Sequence, residues 1–248
     1  MCQNCPQGLS HGSLHSFTPT RRAALLFAAS GIGLSLAPAA VAKETIKPPK
    51  PENAVSPDAA LKRLHEGNER YVEGVARRHD FRHEREALAT GQNPYAAILS
   101  CADSRIAPEY AFDSGRGDLF VCRIAGNFAS DECVASLEYA VSVLATPLIL
   151  VLGHDACGAV DATIKSLKDN TTLPGHLPSL VAAIAPSVQA ASQQKGDMLA
   201  AAIRQNVIDN VAKLKSAAPI LGAAVEQKKL KVVGGIYRLK SGKVEMIG

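Results

Sequence analysis

The chain has 248 residues, 47% of them hydrophobic, with a formal net charge of +4 and no Trp. That apolar content supports one substantial core and excludes a chain disordered by composition. Lysines and arginines are interspersed with nearly as many acids, and aromatic residues make up only 4%. Neither a basic nucleic-acid-binding face nor a stacking platform for bases is therefore indicated.

Residues 1–42 contain no Asp or Glu, and Arg21-Arg22 precede the apolar run from Ala23 to Ala39 and then Ala40-Val41-Ala42. A positive stretch, an apolar stretch and an A-x-A site make a cleavable secretory signal, here of the twin-arginine type. The apolar run is interrupted by Gly31, Gly33 and Pro38, which makes it marginal for a membrane span of about 20 residues. The expectation is export by the twin-arginine machinery and a periplasmic or secreted mature chain. Cys2-x2-Cys5 and His11-x3-His15 fall inside this leader; their spacing is superficially zinc-like, but the loop between the pairs is far shorter than in a zinc finger.

Residues 43–56 are proline-rich and charged without periodicity, which reads as an extended linker. The folded domain is expected over residues 57–248. Ser56-Pro57 caps a helical arm whose Leu61, Leu64, Asn68 and Tyr71 share one face, to be docked on the main domain or on a second subunit. The charged segment Arg77 to Arg85 follows. Strands are predicted over residues 95–100, 118–124 and 148–152, and a terminal strand and hairpin over 230–239 and 243–247. Helices are predicted over 130–144, 158–167, 178–194 and 197–215. Strands alternating with helices predict an α/β fold with a mostly parallel central sheet flanked by helices.

Two segments each follow a predicted buried strand: Cys101-Ala-Asp103-Ser-Arg105 and Gly153-His154-Asp-Ala-Cys157-Gly158. Ligands of open parallel sheets bind beyond the carboxyl ends of the strands, where both segments would lie. One imidazole and two thiolates suit zinc and leave a tetrahedral position open, as a catalytic metal requires. Cys157 at the start of a helix would gain thiolate character from the helix dipole. Singly, each of these residues reads as a core cysteine or a loop histidine; the combination is what points to a metal. Asp103 and Arg105 read either as a surface ion pair or as a dyad supporting the metal. Gly158 reads as a point of close approach to the metal or as a plain turn residue.

These motifs closely resemble the β-class carbonic anhydrases. The resemblance extends to Ala60-Leu61-x-x-Leu64-x-x-Gly67-Asn68-x-Arg70-Tyr71, to Gly117-Asp118-Leu-Phe-Val-Cys-Arg123 with Ala125-Gly126-Asn127, and to Ser136-Leu-Glu138-Tyr139-Ala140. It covers about residues 57–248 and departs at Cys122, where many relatives have an apolar residue. It implies about four parallel strands plus an extra edge strand, and homodimers or larger assemblies made by exchange of the N-terminal arm. It also implies one Zn2+ per subunit on Cys101, His154 and Cys157, and reversible hydration of carbon dioxide to bicarbonate by zinc-bound hydroxide. Asp103 would orient that hydroxide and Arg105 would hold Asp103 off the metal; released, Asp103 would become the fourth ligand and close the site. His65, His79 and His83 are candidate proton acceptors, although a solvated surface explains each of them as well. Rival readings are a carbon disulfide or carbonyl sulfide hydrolase of the same fold, a non-catalytic zinc protein, and a thiol redox protein using Cys122 and Cys133, whose spacing fits no such motif.

Overall fold

A computed structural model describes residues 49–247. The leader, with Cys2, Cys5, His11 and His15, lies outside the described residues. Five strands form one sheet: β1 (Ala96–Ser100), β2 (Leu119–Arg123), β3 (Leu148–His154), β4 (Lys231–Tyr237) and β5 (Val244–Ile247). Their spatial order is β2-β1-β3-β4-β5, with β1 to β4 parallel and β5 antiparallel to β4. The expected α/β class, four parallel strands and an extra edge strand, is the one observed. Every residue of β1 and β3 is buried, which explains why those strands read as unbroken apolar runs rather than alternating ones.

The helices divide between the faces. On one, α4 (Asp131–Ser142), α5 (Gly158–Asp169), α6 (Leu177–Ala191), α7 (Met198–Ser216) and α8 (Leu221–Glu226) cover Ala97, Leu99, Ile149, Val151 and Val232. On the other, α1 (Pro57–Val72) and α3 (Pro108–Ala111) cover Ala96, Ile98, Leu148, Leu150 and Leu152. The chain therefore leaves β1 toward one face, through α3, and leaves β3 toward the other, through α5. Their carboxyl ends diverge and open a crevice at the point where strand order reverses.

Ser56 caps α1 through the Ala59 N–H. The helix packs on its own domain: Ala60 and Leu64 are buried, Asn68 donates to the Ala111 and Gly242 carbonyls, and the Val244 N–H donates to the Asn68 side chain. A Cβ at Gly67 would lie 2.0 Å from the Phe112 carbonyl oxygen, so only glycine permits this approach. In this chain α1 docks on its own domain. The short helices α2 (Phe81–Ala87), α3 and α8 escape sequence periodicity; α2 falls largely within the charged segment and is capped by the Asp80 side chain.

Part of the proline-rich stretch is packed rather than extended. Pro51–Asn53 makes a 3-10 turn, and Asn53 is buried and donates to Asp118 at 3.0 Å. Lys50 reaches Asp118 at 2.7 Å, Arg63 lies 3.4 Å from it, and the Gly115 N–H donates to its second oxygen. Polar groups specific for one carboxylate, not apolar burial, hold this segment, which is why hydropathy missed it. Burial alone would raise the Asp118 pKa, but the bonds from Lys50 and Asn53 and the charges of Lys50 and Arg63 hold it below the usual carboxylate range. The folded chain then binds fewer protons here than the unfolded one. The stabilisation is complete above the unfolded pKa of about 4 and is lost as pH falls through the folded value. Asp118→Asn is expected to lose about 1.5–3 kcal/mol at pH 7 and to show a shallower loss between pH 7 and 3, read by urea denaturation at each pH. Parallel acid profiles in the two proteins would remove Asp118 from this role.

Candidate metal centre

Three chain segments meet at the crevice between β1 and β3. Cys101 is the first residue after β1, His154 is the last residue of β3, and Cys157 is the N-cap of α5. All three are buried, and their two sulfurs and an imidazole nitrogen lie within 4.8 Å of one another. His154 Nδ1 is 2.8 Å from the Asp155 carbonyl oxygen, so the proton sits on Nδ1 and donates there. Nε2 is left with its lone pair, fully buried and without a hydrogen-bond partner among the described residues. An orphaned acceptor of this kind costs about 1–3 kcal/mol unless something else takes the lone pair. Two cysteine sulfurs and one imidazole nitrogen are the donors that zinc prefers, and a carbonyl partner on the other ring nitrogen is the usual support of a ligating histidine.

The two sulfurs share a proton. Cys101 is pulled down to about 4, first by the hydrogen bond from the Cys157 thiol, against burial, with help from the Gly126 N–H. Cys157 is pushed up by the Cys101 sulfur and by burial, and the Ala159 and Val160 N–H groups of α5 oppose this only in part. The expected effect of the helix N-terminus on Cys157 is therefore present but outweighed, because a second sulfur lies beside it.

Asp103 lies over this group, with Oδ2 3.8 Å from His154 Nε2. Arg105 holds both of its oxygens, Nε to Oδ1 at 2.9 Å and Nη2 to Oδ2 at 2.7 Å, and its backbone N–H also donates to Oδ1. These bonds keep the Asp103 carboxyl far below the usual carboxylate range. Arg105 also donates to the Ala156 carbonyl at 3.2 Å. It thereby joins the Cys101 loop to the His154–Cys157 turn, where Ala156 has a φ of 51°.

Several supporting groups have no site role in the sequence reading. Arg123, from β2, donates to the carbonyls of Cys101, Asp103 and Ile106 at 3.0, 2.7 and 2.9 Å and so fixes the whole loop after β1. The Gly126 N–H donates to Cys101 Sγ at 3.3 Å. Arg123 and Gly126 were visible only as part of a motif resemblance; nothing local in the sequence says what they bond. At Gly158 a Cβ would meet no protein atom within 4 Å, and φ is not left-handed, so a turn requirement does not explain that glycine. His65 and His83 are exposed, and His79 bonds Glu84 at 3.2 Å. Cys122 and Cys133 are half-buried free thiols packed against the core, and burial pushes Cys122 up to about 11, which makes it a poor nucleophile.

Comparison with known proteins agrees with this arrangement. The carbonic anhydrase family profile matches residues 96–244. Carbonic anhydrase 2 of Mycobacterium tuberculosis is 40% identical over 189 residues, spanning 76% of this chain and 91% of that protein. The solved β-carbonic anhydrase CcaA is 28% identical, with a TM-score of 0.58 over 76% of this chain and 95% of its own. The β-carbonic anhydrase CafA of Aspergillus fumigatus is 25% identical, with a TM-score of 0.60 over 77% and 89%. With more than half of its length matched by the profile and most of it aligned to these relatives, the chain belongs to the β-carbonic anhydrase family.

Proposed function

We propose that the chain hydrates carbon dioxide reversibly to bicarbonate and a proton, using one Zn2+ held by Cys101, His154 and Cys157. The observation that carries this reading is the buried, unpartnered His154 Nε2 beside two cysteine sulfurs and beneath a carboxylate locked by arginine. Bound there, zinc supplies a Lewis acid that makes water nucleophilic near neutral pH. Asp103 stays ionised beside Arg105 and can only accept a hydrogen bond; it would accept the O–H of the attacking water and so orient it. Arg105 occupies both Asp103 oxygens and thereby keeps the carboxylate from becoming a ligand itself. A metal merely stored would need neither residue, and no observation favours a sulfur-containing substrate. An exported chain, entering its compartment through the leader at residues 1–42, is consistent with a folded, metal-loaded protein as the transported form.

We also propose a homodimer built on β2. Among the described residues this strand is an edge of the sheet, and its Leu119, Phe120, Val121 and Cys122 are partly exposed and uncharged. Tyr139 and Val143 on α4 and Tyr110 on α3 are exposed. An apolar edge strand left bare invites pairing with another chain.

Four measurements follow. Stopped-flow assay of the zinc-loaded protein should show rapid carbon dioxide hydration; stoichiometric zinc without turnover would favour storage or a sulfur substrate. Arg105→Ala should keep its zinc yet lose on the order of 10²-fold in turnover, and undiminished activity would remove Arg105 from the reaction. Zinc at about 100 times its Kd should stabilise the metal-free chain by about 2.7 kcal/mol, a gain absent in Cys157→Ser. Light scattering at micromolar concentration should give twice the chain mass, and Val121→Lys should give the monomer; a wild-type monomer would refute the β2 interface.

A further inference from the structure

We infer that one face of α7, led by Asn206, positions the Gly126 N–H that bonds the Cys101 sulfur, and so sets how strongly that sulfur binds metal. The inference rests on the proposed zinc site but concerns residues that touch neither metal nor substrate.

The chain of contacts is continuous. The Gly126 N–H meets Cys101 Sγ at 3.3 Å. The carbonyl of the same residue accepts from Asn206 Nδ2 at 2.8 Å. Three residues on, the Ala129 N–H donates to Asn210 Oδ1 at 2.7 Å and the Ala129 carbonyl accepts from Lys213 Nζ at 2.6 Å. Residues 206, 210 and 213 are four and three apart and share one helix face, so α7 grips the loop at both ends. Asn210 Nδ2 also donates to the Asn206 carbonyl and side-chain oxygens at 2.7 and 3.2 Å. That contact fixes the Asn206 amide with its oxygen toward Asn210 and its nitrogen toward Gly126. Asn206 and Asn210 are 1% and 7% exposed, so both amides are shielded from bulk solvent.

The approach of α7 depends on missing side chains. A Cβ at Gly153 would lie 2.6 Å from Val207 Cγ2, and one at Gly234 2.8 Å from Val207 Cγ1. Gly126, with φ +83°, would place its own Cβ 2.5 Å from Ile184 Cδ1. The loop is thus pressed between α6 and α7, in a backbone conformation suited to glycine, with its N–H aimed at the sulfur. A hydrogen bond to a ligating thiolate lowers the energy of the sulfur lone pairs and fixes their direction. Loss of such outer contacts typically weakens metal binding about 10–100-fold.

The test uses Co2+ in place of zinc, because its sulfur-to-metal charge-transfer absorption reports the lone-pair energy directly, and chelator competition for zinc affinity. Asn206→Ala and Asn206→Asp should move the band to lower energy and weaken zinc binding about 10–100-fold. Ser187→Ala removes a 2.6 Å bond between α6 and Asp209 of α7 without touching the loop; it should lose stability but keep both band and affinity. An unmoved band in the Asn206 variants, or an equal shift in Ser187→Ala, overturns the inference. If Asn206 variants do not fold, Lys213→Met, which removes only the outermost contact, must still move the band the same way, and an unmoved band there overturns it. Failure of the wild-type chain to take up Co2+ or zinc at all would instead defeat the metal-site reading on which this rests.

Discussion

A buried imidazole nitrogen with no hydrogen-bond partner, set beside two sulfurs, is the arrangement that the surrounding structure must sustain. Placed at random in a core, His154 Nε2 would be destabilising, and so would the crowding of two ionisable sulfurs in one dry pocket. The chain tolerates both because they lie where backbone constraints are strongest. Buried parallel strands end there, and their positions are fixed by ladders on both sides of β1 and β3. Small errors in strand register would move a ligand by a whole residue, so the fully apolar β1 and β3 also serve to keep the donors in place.

Strands place Cα atoms; they do not aim side chains in the loops beyond them. That work is divided among polar groups from three directions. Arg123 reaches from β2 to three carbonyls of the loop after β1. Arg105 joins this loop to the turn that carries Cys157, and α7 holds the loop at Gly126 and Ala129. These contacts end on backbone carbonyls, a backbone N–H or a carboxylate rather than on a ligand atom. The Gly126 N–H is the exception, and it touches sulfur directly. A ligand set supported this way is preorganised, which limits the entropy lost when a metal binds.

Much of this was legible in the sequence, for physical reasons that can be traced residue by residue. Strands buried on both faces leave continuous apolar runs such as Leu148–Leu152, and a capped helix leaves a signal such as Ser56-Pro57. The donor set Cys101, His154 and Cys157 was legible because its chemistry is unusual and each segment abuts a strand. Short helices were not: α3 and α8 span four and six residues, too few for a period to register. The anchoring of residues 50–53 was hidden because charged and amide groups carry it. Asn206 and Asn210 were hidden for a related reason. On a helix they interrupt the apolar face, and only the location of the partner loop, 80 residues away, turns that interruption into a function.

The balance of charge explains why an uncharged substrate suits such a site. In the proposed zinc centre two thiolates would offset the divalent cation and a neutral imidazole would add nothing, while Asp103 is matched by Arg105 through two side-chain bonds. The loaded centre would therefore carry almost no net charge, although it is strongly polar locally. Carbon dioxide loses little hydration on entering such a pocket. Bicarbonate would therefore gain no net electrostatic hold on formation. Replacing one sulfur by a neutral donor would leave the centre cationic and would tighten it on the anionic product. On the proposed zinc reading, the two-thiolate donor set would bear on release of product as well as on retention of metal.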